Sequence, residues 1–178
     1  MSTSAGNGRT HKEKPRQEGM CALPTRFFLR GAALCGTLKN EVRNMSRFYG
    51  EESAAPEIRA LYNELWPLWT LDTCAPRLRP DWTPENRTLG QCSITAFLVQ
   101  DLLGGKVYGV PLSDGSVHCF NEALGCVFDL TSAQFGETKM SYVNQPEQSR
   151  EAHFADAGKR ARYELLKERL LAAREEKK

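Results

Sequence analysis

Cys92 stands in Gly90-Gln91-Cys92 at the opening of a long apolar run, and His118 and Asp129 follow it on two strand-like segments. In that order a thiol, an imidazole and a carboxylate supply a nucleophile, a base and a group that orients the base. In a first helical turn the dipole and the unpaired backbone N–H groups favour thiolate over thiol, and a nearby imidazolium lowers the thiol pKa further. The same N–H groups can hold the oxyanion of a tetrahedral intermediate, with the Gln91 side chain or Asn86 as a second donor. The chemistry is acyl transfer through a thioester, in which Cys92 attacks, His118 handles the proton and Asp129 orients it.

The three residues meet only if the chain brings them together. With a four-residue loop over 122–125, Asn121 pairs with Cys126 and the count places His118 directly opposite Asp129, with Cβ atoms roughly 4.5 to 5.5 Å apart. Val117, Cys119, Phe128 and Leu130 then share the other, core-facing side, and a one-residue slip would destroy both assignments. Each residue also has a plainer reading: Cys92 as a small buried hydrophobe, His118 as a structural histidine, Asp129 as a cap for the next turn. A metal site of Cys92, His118 and Asp129 is chemically possible, but no spacing favours it. The six cysteines contain no CxxC pair, and Cys119 and Cys126, about 7 to 8 Å apart on the diagonal, read as packing.

The elements that must position the triad are legible from periodicity. From Pro56 a helix is expected, with Ile58, Leu61, Tyr62 and Leu65 on one stripe and Pro67 ending or kinking it. Residues 70–89, with Pro76, Pro80 and Pro84, read as an extended connector in which Trp82 is an anchor. Trp66, Trp69 and Trp82 could line a cleft, although packing is the commoner role. Thr88 with Gln91 fits a capping box for the central helix, which Gly104-Gly105 stops, and apolar residues on nearly every face mark that helix as enclosed. Strands are expected over Lys106 to Leu112, Ser116 to Asn121 and Cys126 to Leu130 as an antiparallel meander. Thr131 with Gln134 resembles a second capping box before a short helix cut off at Gly136. Residues 137–158 read as an irregular connector. From about Lys159 an amphipathic helix presents Tyr163, Leu166 and Leu170 on one stripe.

Composition bounds the rest. Residues 1–47 carry nine Lys/Arg against three Asp/Glu and the remainder fifteen against nineteen, so a basic leader precedes an acidic body of which 48–136 is the core domain. Without a basic stripe among its strands the body is no nucleic-acid binder. Residues 1–19 have a disordered composition, and Met45 is a plausible alternative start. The apolar stretch Phe27 to Leu38, interrupted by Arg30, is far short of the roughly 20 residues of a membrane span, so no membrane partner is expected. Leu34 before Cys35 argues against secretion, whereas residues 19–40, with Arg26, Arg30 and Lys39 and no acid, stay compatible with an organelle presequence. Reduced thiols in a cytoplasmic protein are the simpler account. No cofactor is implied, because no phosphate-binding glycine loop follows a strand.

Leu65 to Phe135 resembles the YunG-like family of small, uncharacterised bacterial proteins. The likeness is carried by Trp69-Thr70-Leu71-Asp72-Thr73, Trp82-Thr83-Pro84-Glu85-Asn86, Leu89 through Ala96, Val99-Gln100-Asp101, Gly104-Gly105, His118, Phe120-Asn121, Asp129-Leu130-Thr131 and Gln134-Phe135. Arg162-Tyr163-Glu164-Leu165-Leu166 is similar to the family's closing helix, and Cys92, His118 and Asp129 fall on motif positions. Here Val117-His118-Cys119-Phe120-Asn121 stands where such proteins often look like Ser-His-Tyr-Trp-Asn, which alters the aromatic surface beside the histidine. The expected architecture is a papain-like α+β fold, a central helix on a small antiparallel sheet with a C-terminal amphipathic helix. Two functions follow from it. One is a thiol hydrolase or acyltransferase on an amide, peptide or glutamine side chain, with Asn86, Trp82, Phe120 and Asn121 holding a small-molecule or protein substrate. The other is a non-catalytic binding module that uses Gln91, Asn121 and exposed aromatic residues.

Overall fold

A computed structural model describes residues 46–178; the expectations for residues 1–45 lie outside them. The first helix, α1 (Pro56–Leu65), forms as its stripe requires: Ile58, Leu61, Tyr62 and Leu65 are its buried residues, and Pro56 occupies the first turn, where its missing N–H costs nothing. Pro67 sits in a 3-10 turn, Trp66–Leu68, that ends the helix. Trp69 then turns inward, fully buried, and its indole N–H donates to Thr95 Oγ1 at 3.0 Å. The connector is less extended than expected, because Pro76–Asp81 winds into a 3-10 helix. Trp82 anchors there through an indole bond to the Arg87 carbonyl at 3.2 Å.

The central helix α2 (Cys92–Leu103) is buried continuously from Ile94 to Val99 and stops at Gly104, whose φ of 72° suits glycine. The expected Thr88–Gln91 capping box does not form. Gln91 takes helical dihedrals at the N-cap without a side-chain capping bond, and its carbonyl accepts the first helical N–H, that of Thr95. Cys92 is therefore the first residue of α2.

Three strands, β1 (Lys106–Pro111), β2 (Val117–Ala123) and β3 (Cys126–Phe128), make an antiparallel sheet in that order. The expected four-residue loop and the Asn121–Cys126 pair are both corrected. Ala123 pairs with Cys126, Glu122 with Val127 and Asn121 with Phe128, so the turn is Leu124-Gly125 alone. Both turn residues have positive φ, 53° and 72°, as a two-residue hairpin of the right twist demands. The branched Leu124 gave no local sign of this geometry; burial of Ala123 and Phe128 offsets its strain of about 1 kcal/mol.

Other segments border the sheet on both edges. Beside β3, Asp129 N–H donates to the Tyr49 carbonyl at 3.1 Å. Beside β1, Gly109 N–H donates to Pro146 O and Gln148 N–H to Val107 O, at 3.0 and 2.8 Å. Residues 137–158 are not irregular throughout: Ser149 caps a short helix, α3 (Arg150–Phe154), and Asp156 caps the last, α4 (Ala157–Glu175). The Thr131–Gln134 capping box is absent too, since Thr131 Oγ1 bonds Asp129 and the Gln134 amide bonds the Thr131 carbonyl above a 3-10 turn, Ser132–Phe135.

The molecule is thus α+β. Helix α2 packs on β2 and against α4. The core gathers Ile58 and Leu65 of α1, Ile94, Phe97 and Leu98 of α2, Val107 and Phe128 of the sheet, and Leu166 and Leu170 of α4. Among the described residues no helix is long and apolar enough to cross a membrane.

Candidate active site

Gly90 prepares the helix start. Its φ is 70°, its carbonyl accepts from Ala75 N–H at 3.0 Å, and a Cβ there would lie 2.8 Å from Cys74 Sγ and 2.9 Å from Ala75 N. Only glycine lets the chain pass this close to the 74–75 segment and still enter α2. Cys92 emerges one turn-residue later, at the positive end of the helix.

The Cys92 thiol meets β2. After burial, the groups that act on it most strongly are the His118 ring and the backbone N–H of Cys119, both on β2. Burial and, more weakly, the Asp129 charge push its pKa up, but the His118 ring and the Cys119 N–H outweigh them and hold it below the ordinary thiol value. His118 shows the reverse balance. Burial favours the neutral ring, yet the bond to Asp129, the neighbouring Cys92 thiol and the charges on both raise its pKa to about 10. Each group therefore favours the charged form of the other, a thiolate beside an imidazolium.

His118 Nε2 lies 2.6 Å from Asp129 Oδ2, with both side chains 1% exposed. The Gln134 amide is 3.5 Å from Nδ1, a distant contact beside its 2.8 Å bond to Thr131 O. Phe135 packs edge-on against the imidazole at a centroid distance of 4.6 Å. The geometry of the pair differs from expectation. Continued past the end of β3, the observed register puts Asp129 opposite Phe120, so His118 and Asp129 are diagonal neighbours. The shift is two residues, and with a side-chain period of two it leaves both on the same face.

Asp129 is saturated with donors. Oδ1 accepts from Thr131 N–H and Thr131 Oγ1, both at 2.9 Å, and Oδ2 accepts from Tyr142 OH at 2.9 Å besides His118. The plainer reading of Asp129 as a turn cap is thus also met, by one of its two oxygens. Tyr142 stacks on Tyr49 at 4.0 Å between centroids, and its hydroxyl is held strongly toward the neutral form by burial and then by the Asp129 charge. Sequence reasoning missed Tyr142, Tyr49 and the Cys119 N–H. Neither tyrosine lies on a periodic stripe, and a backbone donor leaves no mark on residue type.

The remaining candidates scatter. Gln91 is fully buried; its Nε2 donates to Thr70 O at 3.0 Å and its Oε1 has no partner. The amide expected to face an oxyanion is spent on the connector. Asn121 is buried on the α2 side of β2 and donates to Ala96 O at 2.9 Å. Asn86 is half-buried and accepts from Thr88 Oγ1 through its amide oxygen at 3.4 Å, which leaves its NH2 group uncommitted. Phe120 is buried under Tyr142, with ring centroids 5.0 Å apart. Trp82 is half-buried.

Fold and site together define an α+β protein with a buried histidine–aspartate pair and a half-buried cysteine at the start of its central helix. The chain belongs to the YunG protein family, whose model matches residues 57–175. It is 38% identical over 87 residues to a protein of Bacillus subtilis (strain 168) described as "Uncharacterized protein YunG", a match covering 49% of this chain and 72% of the relative. No solved structure matches.

Proposed function

We propose that the chain is a papain-like thiol hydrolase or acyltransferase acting on an amide, a peptide or a glutamine side chain through Cys92, His118 and Asp129. The observation that carries this reading is the 2.6 Å bond from the His118 ring to an Asp129 carboxylate held by Tyr142 and Thr131, with Cys92 as the first residue of α2 and its thiol acted on by the His118 ring. In the proposed cycle the Cys92 thiolate adds to the substrate carbonyl, and His118 gives its proton to the departing amine. Water or a second amine, deprotonated by His118, then releases the acyl group from sulfur. The first-turn N–H groups of α2 and the free Asn86 amide are the proposed oxyanion donors. A small aliphatic residue in place of Cys92 would pack as well and would not need a buried imidazolium beside it, which weighs against a purely structural cysteine.

The binding-module alternative draws less support, because Gln91 and Asn121, its main polar contacts, bond internally. The four cysteines described are all free thiols, which favours a reducing, cytoplasmic setting. The test is the pH profile of Cys92 alkylation in the native protein beside His118→Ala. A thiol reactive well below the ordinary range, and only with His118 present, justifies screening amide and thioester substrates. Reaction no faster than that of the denatured chain, in both proteins, ends the proposal.

A further inference from the structure

On the face of the sheet that carries His118 lies a groove of about 310 Å³. Its floor is a cross-strand quartet, Tyr108 paired with Phe120 and Glu122 paired with Val127. Tyr142 and Asn144 form its wall. The groove adjoins the triad at two points: Phe120 is two residues from His118 on one face, and the Tyr142 hydroxyl reaches Asp129 Oδ2 at 2.9 Å.

Its chemistry is specific. Among the described residues Glu122 is the only formally charged one of the lining, and it is exposed. Lys106 lies directly opposite Glu122 in the β1–β2 register and pairs with Glu147 at 3.0 Å, so the three together carry a net negative charge. Around this carboxylate stand the Tyr108 and Tyr142 rings, and Val127 remains 39% exposed although apolar. A carboxylate framed by aromatic rings attracts cations and repels anions, and an exposed valine beside it offers cover for a short methylene chain.

We propose that this groove binds the part of a substrate that carries a primary ammonium on an aliphatic chain, such as a lysine side chain or an alkyl diamine, with Glu122 as its counter-ion. The proposal deepens the acyl-transfer reading and takes its link to catalysis from it. Glu122 acts in binding and specificity, and touches no reacting atom.

The first test does not depend on thiol chemistry. In amide NMR spectra of the full chain, 1,5-diaminopentane should shift the Val127 and Asn144 signals saturably, whereas 1-pentanol should not. Glu122→Gln should weaken the effect about fivefold, as should about 0.5 M salt. Equal responses to amine and alcohol, indifference to Glu122→Gln, or shifts that map elsewhere would overturn the proposal. The second test joins groove to thiol. Cys92 should react about fivefold faster with an aminopentyl iodoacetamide than with its pentyl analogue, and Glu122→Gln should abolish that preference. A reactive Cys92 without preference sinks the groove reading alone. An inert Cys92 sinks the catalytic reading, and the NMR titration still decides the groove.

Discussion

His118 and Asp129 share a 2.6 Å hydrogen bond between Nε2 and Oδ2 although their backbones are not paired in the sheet. Asp129 lies just beyond β3, where its N–H bonds Tyr49 and its Oδ1 is tied to Thr131. The carboxylate is thereby turned back along the face toward a histidine one diagonal step away. A buried charged pair of this kind is costly unless every lone pair is met, and here four donors meet them.

The thiol should report the pair directly. Cys92 alkylation, followed by mass spectrometry, should reach its plateau below the 9.0 of an unperturbed thiol. In His118→Ala burial and the Asp129 charge are opposed by the Cys119 N–H alone, so the thiol pKa rises and the rate at neutral pH falls about tenfold or more. Equal profiles in the two proteins would contradict the contact.

Stability should follow pH with a sign set by both groups. His118 holds its proton to about 10 against an ordinary 6.5, so its contribution is complete below 6.5 and drains away as pH rises to about 10. The lowered Cys92 pKa works oppositely, its contribution being complete above 9.0 and lost as pH falls through the folded value. From the folded value of Cys92 up to 9.0 the two slopes oppose each other, and between 9.0 and about 10 only the His118 loss remains. In Cys92→Ser the decline should begin just above 6.5. Urea denaturation of both proteins across this range checks the difference, and parallel curves would refute it.

Tyr142→Phe removes one donor to Asp129 and keeps the stacks on Tyr49 and Phe120. A hydrogen bond to a charged group is worth about 1.5 to 3 kcal/mol, and that loss should appear in chemical denaturation. Cys92 reactivity should stay within about threefold, because Thr131 still holds Oδ1 and a tenfold effect would need about 1.4 kcal/mol at the thiol itself.

Gly90→Ala should destabilise by at least about 2 kcal/mol, through a positive φ of 70° and a Cβ pressed on Cys74 Sγ and Ala75 N. Cys74→Ala should restore only part of it, since the clash with Ala75 N and the dihedral strain persist. Thermal melts of the single and double variants separate the terms.

Leu124→Asn should do the opposite. Leu124 is half-exposed at φ 53° in the first position of a two-residue turn followed by Gly125, and Asn-Gly is the favoured pair there. A gain of about 0.5 to 1 kcal/mol is expected in the same melts. An unchanged or lower melting temperature would argue against this turn and hence against the observed β2–β3 register.

Much of this protein follows from its sequence alone. The stripe of α1, the all-round apolarity of α2 and the Tyr163, Leu166 and Leu170 face of α4 are periodic, and periodicity is a local property that burial then satisfies. Cys92, His118 and Asp129 stood out by residue type, and the alternation of strand side chains kept His118 and Asp129 on one face even under the wrong register. Tertiary structure decided what no local signal carries. The hairpin closed on Leu124-Gly125 because the sheet gains more from burying Phe128 and Ala123 than Leu124 loses. Gln91 and Asn121, polar and beside the triad in sequence, were drawn into bonds with Thr70 and Ala96 because a buried amide must be paired. Tyr49 and Tyr142, 93 residues apart, came together at Asp129 from segments with no pattern of their own. Local order is written residue by residue, whereas contacts across such separations depend on how the whole core packs.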